Sequence, residues 1–215
     1  MIPLRDSTPS RSFPLVTVLI ILANIYVFYQ QITSGPVGME AMIYQKGFIP
    51  SHLLYHPTSA VTYMFLHGSL MHIISNMWML WLLGDNVEDR MGKMRFIIFY
   101  LLCGIIAALV HYYINPHSSI PVVGASGAIA GVMGAYFIMF PRARILTWVP
   151  PFFLFTFPAW FYLGIWILTQ LWAGLGSLAA LEHPTIAFWA HIGGFAAGVI
   201  LHPFFVSREN TDHYY

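Results

Sequence analysis

The feature that most limits what this chain can become is a set of long apolar segments broken by very few charges. Six can be marked, at residues 14–31, 62–83, 96–114, 122–140, 152–181 and 185–206. A helix that crosses the ~30 Å hydrocarbon core of a bilayer needs about 20 such residues. Only 8% of the chain is charged and mean hydropathy is +0.70, where an ordinary soluble domain carries about 25% charge. In lipid every backbone N–H and C=O has to be satisfied within the protein, so segments of this length resolve as helices. The expected fold class is therefore all-α. It is a polytopic membrane protein, a six-transmembrane-helix bundle forming one domain over residues 1–215, with a partly embedded first outer loop.

The first segment is too long for a signal-peptide core and no cleavage pattern follows it, so it counts as a span. Only Glu182, His183 and Pro184 divide the last two segments. The basic residues orient the bundle. With the N-terminus in the cytoplasm, Arg5, Arg11, Arg90, Lys93, Arg95, Arg142, Arg144 and Arg208 all fall inside and Lys46 alone falls outside. The expected location is a multi-pass position in a cell membrane with both termini cytoplasmic. The outer loop 32–61 carries Gly35, Pro36, Gly38, Pro50 and Pro57 among apolar residues such as Met39, Met42, Phe48 and Leu53. That is too apolar for a free linker, and the loop is expected to pack on the bundle or lie in the interface. A net charge of +1 does not point to nucleic acid, and the single Cys103 allows no intrachain disulfide. Short polar termini and no second domain or repeat point to a minimal prokaryotic-type protein.

Polar side chains inside hydrocarbon are costly, so they mark the bundle interior and function. The set is small: Asn24, then His67, Ser69, His72, Ser75 and Asn76, then Ser126, Thr169, Gln170 and His191. No Asp or Glu lies mid-membrane. With a rise of about 1.5 Å per residue, Ser126 and His191 each fall roughly 9 Å below the outer surface and His72 about 12 Å below it. His72 and Asn76 are four apart and share a helix face, whereas His67 lies off that line. Gly127, Gly131 and Gly134 on the fourth segment, and Gly194 and Gly198 on the sixth, form two rows of small residues. Such rows let helix backbones touch in lipid, and contact there brings Ser126 to His191. Ser126 alone has two readings: a helix N-cap, or a nucleophile beside the free N–H groups of a first helical turn. Asn24 and Gln170 are expected to tie helices together. Pro158 and the aromatics Phe155, Phe157, Trp160, Phe161 and Trp166, facing Trp78 and Trp81, are candidates for a side gate.

Four stretches carry a family resemblance: "FLHGSLMHIISNMW" (Phe65–Trp78), "GDNVEDRMG" (Gly84–Gly92), "GASGAIAGVMGAY" (Gly124–Tyr136) and "AHIGGFAAG" (Ala190–Gly198). In this order, on six spans, the chain resembles the rhomboid family of intramembrane serine proteases. The resemblance implies that Ser126 is the nucleophile and His191 its general base. It implies that His72, Asn76 and the Ser126 backbone N–H receive the oxyanion, and that Gly124 lies beside the substrate path. Some members place an aromatic ring four residues after the serine, against the catalytic histidine. Here that position is Ala130, which has no ring, and another span is a candidate to supply such a contact.

The chemistry also follows from the residues. A serine hydroxyl attacks only when a base takes its proton, and histidine, with its ordinary range near neutral pH, can do so. With no buried acid at hand, a Ser–His dyad is expected rather than a triad. The function expected is an intramembrane serine endopeptidase that cleaves transmembrane helices of other membrane proteins near the outer surface, through an acyl-enzyme. It needs no cofactor or metal, and its partners are transmembrane substrates and the lipid bilayer. The alternatives are a non-catalytic rhomboid-like binder of membrane helices, a transporter, or a metal or haem membrane protein using His67, His72 and His191.

Overall fold

A computed structural model describes residues 1–179 and 187–207. The break expected at Glu182, His183 and Pro184, the start of the last span at Thr185, and Arg208 lie outside the described residues. The elements run β1 (Ile2–Asp6), α1 (Leu15–Thr33), α2 (Gly35–Lys46), α3 (Ser59–Thr62), α4 (Leu70–Met91), α5 (Lys93–Ile114), α6 (Ser126–Met139), β2 (Arg144–Val149), β3 (Phe153–Pro158), α7 (Ala159–Ala179) and α8 (Phe188–Phe205). The architecture is that of a polytopic helical membrane protein. The helices α1, α5, α7 and α8 are long and apolar enough to cross a bilayer. Helix α4 has the length, 22 residues, but carries His72, Ser75 and Asn76 and ends in the charged run Asp85–Arg90. Helix α6 has only 14 residues, about 21 Å at the usual rise, so its end falls short of a ~30 Å core.

The centre of the bundle is α6, whose residues Gly127 to Tyr136 are all buried. It packs most extensively on α8 and also on α5 and α4. The α6–α8 seam is the glycine contact expected from the sequence, and it is tight. A Cβ added to Gly194 would lie 2.0 Å from the Gly127 carbonyl oxygen, and one on Gly198 would lie 1.9 Å from that of Gly131. Contacts climb in step along both helices, from Gly127–Gly194 to Gly131–Gly198, so α6 and α8 run parallel.

Three places depart from the sequence expectation. The second apolar segment is not one helix from residue 62. After α3 and a 3-10 turn at Tyr63–Phe65 the chain is extended, and α4 starts only at Leu70, capped by Ser69 Oγ, which accepts the His72 N–H at 3.2 Å. His67 therefore precedes the helix. The fifth segment does not begin as a helix at Phe152. Residues 153–158 are strand β3, paired antiparallel to β2, and β2 pairs antiparallel to β1 in the order β1-β2-β3. This three-stranded sheet is added to the helical bundle. Thirdly, the polar N-terminus is structured: it supplies β1, and Trp78 Nε1 donates to the Pro3 carbonyl. The outer loop behaves as expected in part. Phe48 and Ile49 are buried, and Phe48 exchanges both backbone hydrogen bonds with Val122 at 2.8 and 2.9 Å. Helix α2 has no buried residue.

Polar groups inside the bundle find partners that fix its ends. Glu88, fully buried on α4, accepts from Val16 N at 3.0 Å and from Thr17 N and Oγ1 at 2.8 Å. It thereby meets the free N–H groups and positive dipole end of α1. At the other end of α1, Gln31 Oε1 accepts the His67 N–H at 3.0 Å and its Nε2 donates to the His67 carbonyl at 3.2 Å. Asn24, expected to join helices, donates instead to Ile20 on its own helix at 2.8 Å. Past the apolar part of α4, Asp6 accepts from Tyr136 Oη and from Asn86 Nδ2, and Asp85 sits next to them.

Two outcomes follow from this packing. Gly198→Leu forces a side chain into the Gly131 carbonyl, and overpacking costs about 1–3 kcal/mol or more. Its thermal midpoint in detergent should fall by several degrees, while Gly176→Ala, with open space around it, should leave it unchanged or slightly raised. Burial, followed by the nearby Asp6 and Asp89 carboxylates, pushes Asp85 up from 3.8 to about 6. A raised carboxyl in the folded state stabilises while protonated, and that stability is lost as pH rises through about 6. Thermal scans across that window should show the native protein losing stability toward neutral pH, with Asp85→Asn losing less.

Candidate active site

The amino-terminal ends of α4, α6 and α8 converge on one cavity of about 770 Å³ that opens to the surface. This follows from topology, because alternate spans of an up-down bundle begin on the same side. His72 is the third residue of α4, Ser126 the first of α6 and His191 the fourth of α8. Three sets of free N–H groups and positive dipole ends therefore border the same space.

Ser126 Oγ lies 2.8 Å from His191 Nε2. The N-cap position of α6 belongs to Ala125, and no side chain caps that helix. The Ser126 hydroxyl is thus not a cap and is committed to the imidazole. The seam between α6 and α8 is what makes the distance short: the Gly127–Gly194 contact lies within a turn of both side chains. Gly124 precedes them at φ +125°, a conformation open to glycine, and donates its N–H to the Tyr63 carbonyl at 3.0 Å. A Cβ at Gly124 would sit 2.7 Å from His72 Nε2 and 3.5 Å from Asn76 Nδ2. The missing side chain leaves these two groups facing the Gly124 backbone, two residues before Ser126. Gly68 N–H approaches His72 Nδ1 at 3.5 Å, which favours the tautomer with hydrogen on Nε2, the nitrogen turned toward Gly124. Asn76 is 6% exposed and its Nδ2 has no partner among the described residues, an uncommon state for a buried amide donor. All five residues singled out from the sequence, Ser126, His191, His72, Asn76 and Gly124, are thus brought together.

His67 stands behind this group rather than in it. Its ring meets His72 edge-on at 5.0 Å and Phe28 at 6.4 Å, with both nitrogens buried. Gln170, expected to tie helices together, and a ring from another span both meet His191, though the sequence did not name that partner for either. Gln170 Oε1 lies 2.7 Å from His191 Nδ1, and the Trp166 ring stands 5.8 Å from the imidazole at 38°. Both come from α7. Trp166 thereby lies inside the site as a neighbour of the imidazole, while Phe155 and Phe157 of the supposed gate belong to strand β3. The polarity of Gln170 and its four-residue spacing from Trp166 were visible in the sequence, but the side of α7 facing α8 was not.

A serine hydroxyl and an imidazole 2.8 Å apart at an open cavity among apolar helices mark the class as a polytopic helical membrane protein with a buried polar site. The comparisons give the family. The model of the Rhomboid domain matches residues 56–208, and the chain belongs to the rhomboid family. It is 28% identical over 174 residues to Rhomboid protein 1, mitochondrial, of Saccharomyces cerevisiae, covering 78% of this chain and 45% of that protein. It is 33% identical over 140 residues to the human Presenilin-associated rhomboid-like protein, mitochondrial, covering 64% and 36%. It is 31% identical over 125 residues to Rhomboid protease GluP of Bacillus subtilis, covering 57% and 24%. The chain thus spans less than half the length of these relatives.

Proposed function

We propose that the protein is an intramembrane serine endopeptidase working through a Ser126–His191 dyad. The observation that carries this reading is the 2.8 Å contact between Ser126 Oγ and His191 Nε2 in a cavity faced by the unpartnered Asn76 amide. His191 Nε2 takes the hydroxyl proton as Ser126 Oγ attacks the scissile carbonyl carbon. The carbonyl oxygen becomes an oxyanion that receives hydrogen bonds from the Ser126 N–H, His72 Nε2 and Asn76 Nδ2. The imidazolium then protonates the leaving amine, the C–N bond breaks, and an acyl-Ser126 ester remains. Water deprotonated by His191 hydrolyses that ester and restores the serine. Gly124, with no side chain, leaves room for the substrate strand.

The substrate is a transmembrane helix of another protein, cut near the outer surface. A regular helix ties up its carbonyls, so segments with Gly, Ser or Pro near that end, which unwind readily, are favoured. The basic-residue bias supports an orientation with both termini on the cytoplasmic side. Entry is between α4 and α7. The two helices barely touch, yet Met71, His72 and Asn76 of one and Trp166 of the other line the same cavity.

A fluorophosphonate probe should label the purified protein, and Ser126→Ala should abolish both labelling and cleavage of a membrane substrate. His72→Ala and Asn76→Ala should each lower kcat by roughly 10²- to 10³-fold, the usual loss for one oxyanion donor. Full cleavage by Ser126→Ala would overturn the dyad, and substrate capture without labelling would make the protein a binder. For entry, a cross-link joining the exposed faces of α4 and α7 should slow cleavage of a membrane-embedded substrate while leaving fluorophosphonate labelling intact. Unchanged cleavage places the entrance elsewhere.

A further inference from the structure

We propose that Gln170 is a positioning residue for the base: its side-chain carbonyl accepts the His191 Nδ1–H and thereby sets the tautomer that presents a lone pair on Nε2 to Ser126. The inference deepens the protease reading and rests on it. Three observations carry it.

The first is chemical. Neutral imidazole has one N–H and one acceptor nitrogen. Gln170 Oε1, at 2.7 Å from Nδ1, can only accept, so the hydrogen is on Nδ1. Nε2, 2.8 Å from Ser126 Oγ, is then the acceptor that general-base catalysis needs. The second is steric. Ala130 on α6 is buried against the seam, where it lies 3.3 Å from the site of a Cβ on Gly194. Helix α6 therefore has no ring to hold the imidazole, and Trp166 of α7 stands beside it instead.

The third is registry. Trp166, Gln170 and Gly174 follow one another at four-residue steps and share a face of α7. Gly174 seats that face on α8, its Cβ position lying 3.4 to 3.5 Å from Trp189, Ile192 and Phe188. The same docking that seats Gly174 one turn away delivers Gln170 to Nδ1. An amide is well suited to the place. It holds the imidazolium formed during attack through an N–H···O bond, without the cost of burying a carboxylate in lipid. Since Gln170 rides on α7, the base is aligned only while α7 is docked on α8 at this height.

The experiment compares the full chain with Gln170→Leu, Gln170→Met and Gln170→Glu in proteoliposomes, measuring kcat, KM and thermal midpoint, with nitrogen-15 shifts of the His191 ring. Gln170→Leu should lower kcat by about 10- to 100-fold, with KM and thermal midpoint near the native values. Its ring shifts should move from a single Nδ1–H tautomer to a mixture. Gln170→Glu, which keeps the acceptor, should recover kcat to within a few-fold. If Gln170→Leu does not fold, the near-isosteric Gln170→Met should show the same kcat loss and the same mixed tautomer. Native kcat and tautomer in the Leu or Met variant would overturn the proposal. So would a Glu variant as impaired as Leu, or a loss that follows the thermal midpoint. If the unaltered protein neither labels nor cleaves, the protease reading fails on its own, and the ring shifts still decide whether Gln170 sets the tautomer.

Discussion

The backbone contact between α6 and α8 is the constraint on which the rest depends. In lipid there is no hydrophobic force pushing apolar helices together, so close approach has to come from small residues and the dispersion contacts they permit. Gly127, Gly131, Gly194 and Gly198 bring carbonyl oxygens to within about 2 Å of where side chains would otherwise start. Two parallel helices held that closely put their first turns side by side. Ser126 and His191, from the first turns of α6 and α8, meet as a consequence.

The remaining polar groups separate into those that are satisfied and those that are not. Glu88 caps α1, Gln31 closes the backbone N–H and C=O of His67, and Tyr63 Oη donates to the Gly104 carbonyl at 2.7 Å. These bonds fix α1, the entry to α4 and the loop before α6, since Tyr63 also holds Gly124. Asn76 Nδ2, by contrast, is buried and has no partner among the described residues, beside the Ser126–His191 pair. Other buried polar atoms among the described residues also lack a hydrogen-bond partner, including Asn24 Oδ1, both His67 ring nitrogens and Tyr100 Oη, but of these residues only Asn76 lines the cavity.

Within the rhomboid family, this chain supports its histidine from α7. The seam that places Ser126 and His191 also fills the space around Ala130 on α6, so the ring contact and the Nδ1 acceptor both come from the neighbouring helix. Helix α7 is otherwise lightly buried, with Leu168, Trp172, Leu175 and Leu178 exposed, as befits a helix against lipid. The His191 ring is therefore in contact with one of the less embedded members of the bundle.

Composition alone determined that this chain lives in a bilayer, because so few charges and such long apolar runs cannot fold in water. Short motifs and glycine spacing made the α6–α8 contact and the residues Ser126, His191, His72, Asn76 and Gly124 legible, since helical periodicity converts spacing directly into a shared face. Local pattern could not separate strand from helix at residues 153–158, where an apolar run continuous with α7 reads as one span. Nor could it show that the helix after Phe65 waits until Ser69 can cap it, or that β1 anchors the N-terminus. Which way Gln170 faces was decided only by the tertiary structure. A helix's rotation and height are set by what it packs against, here Gly174 on α8, and that information resides in another segment of the chain.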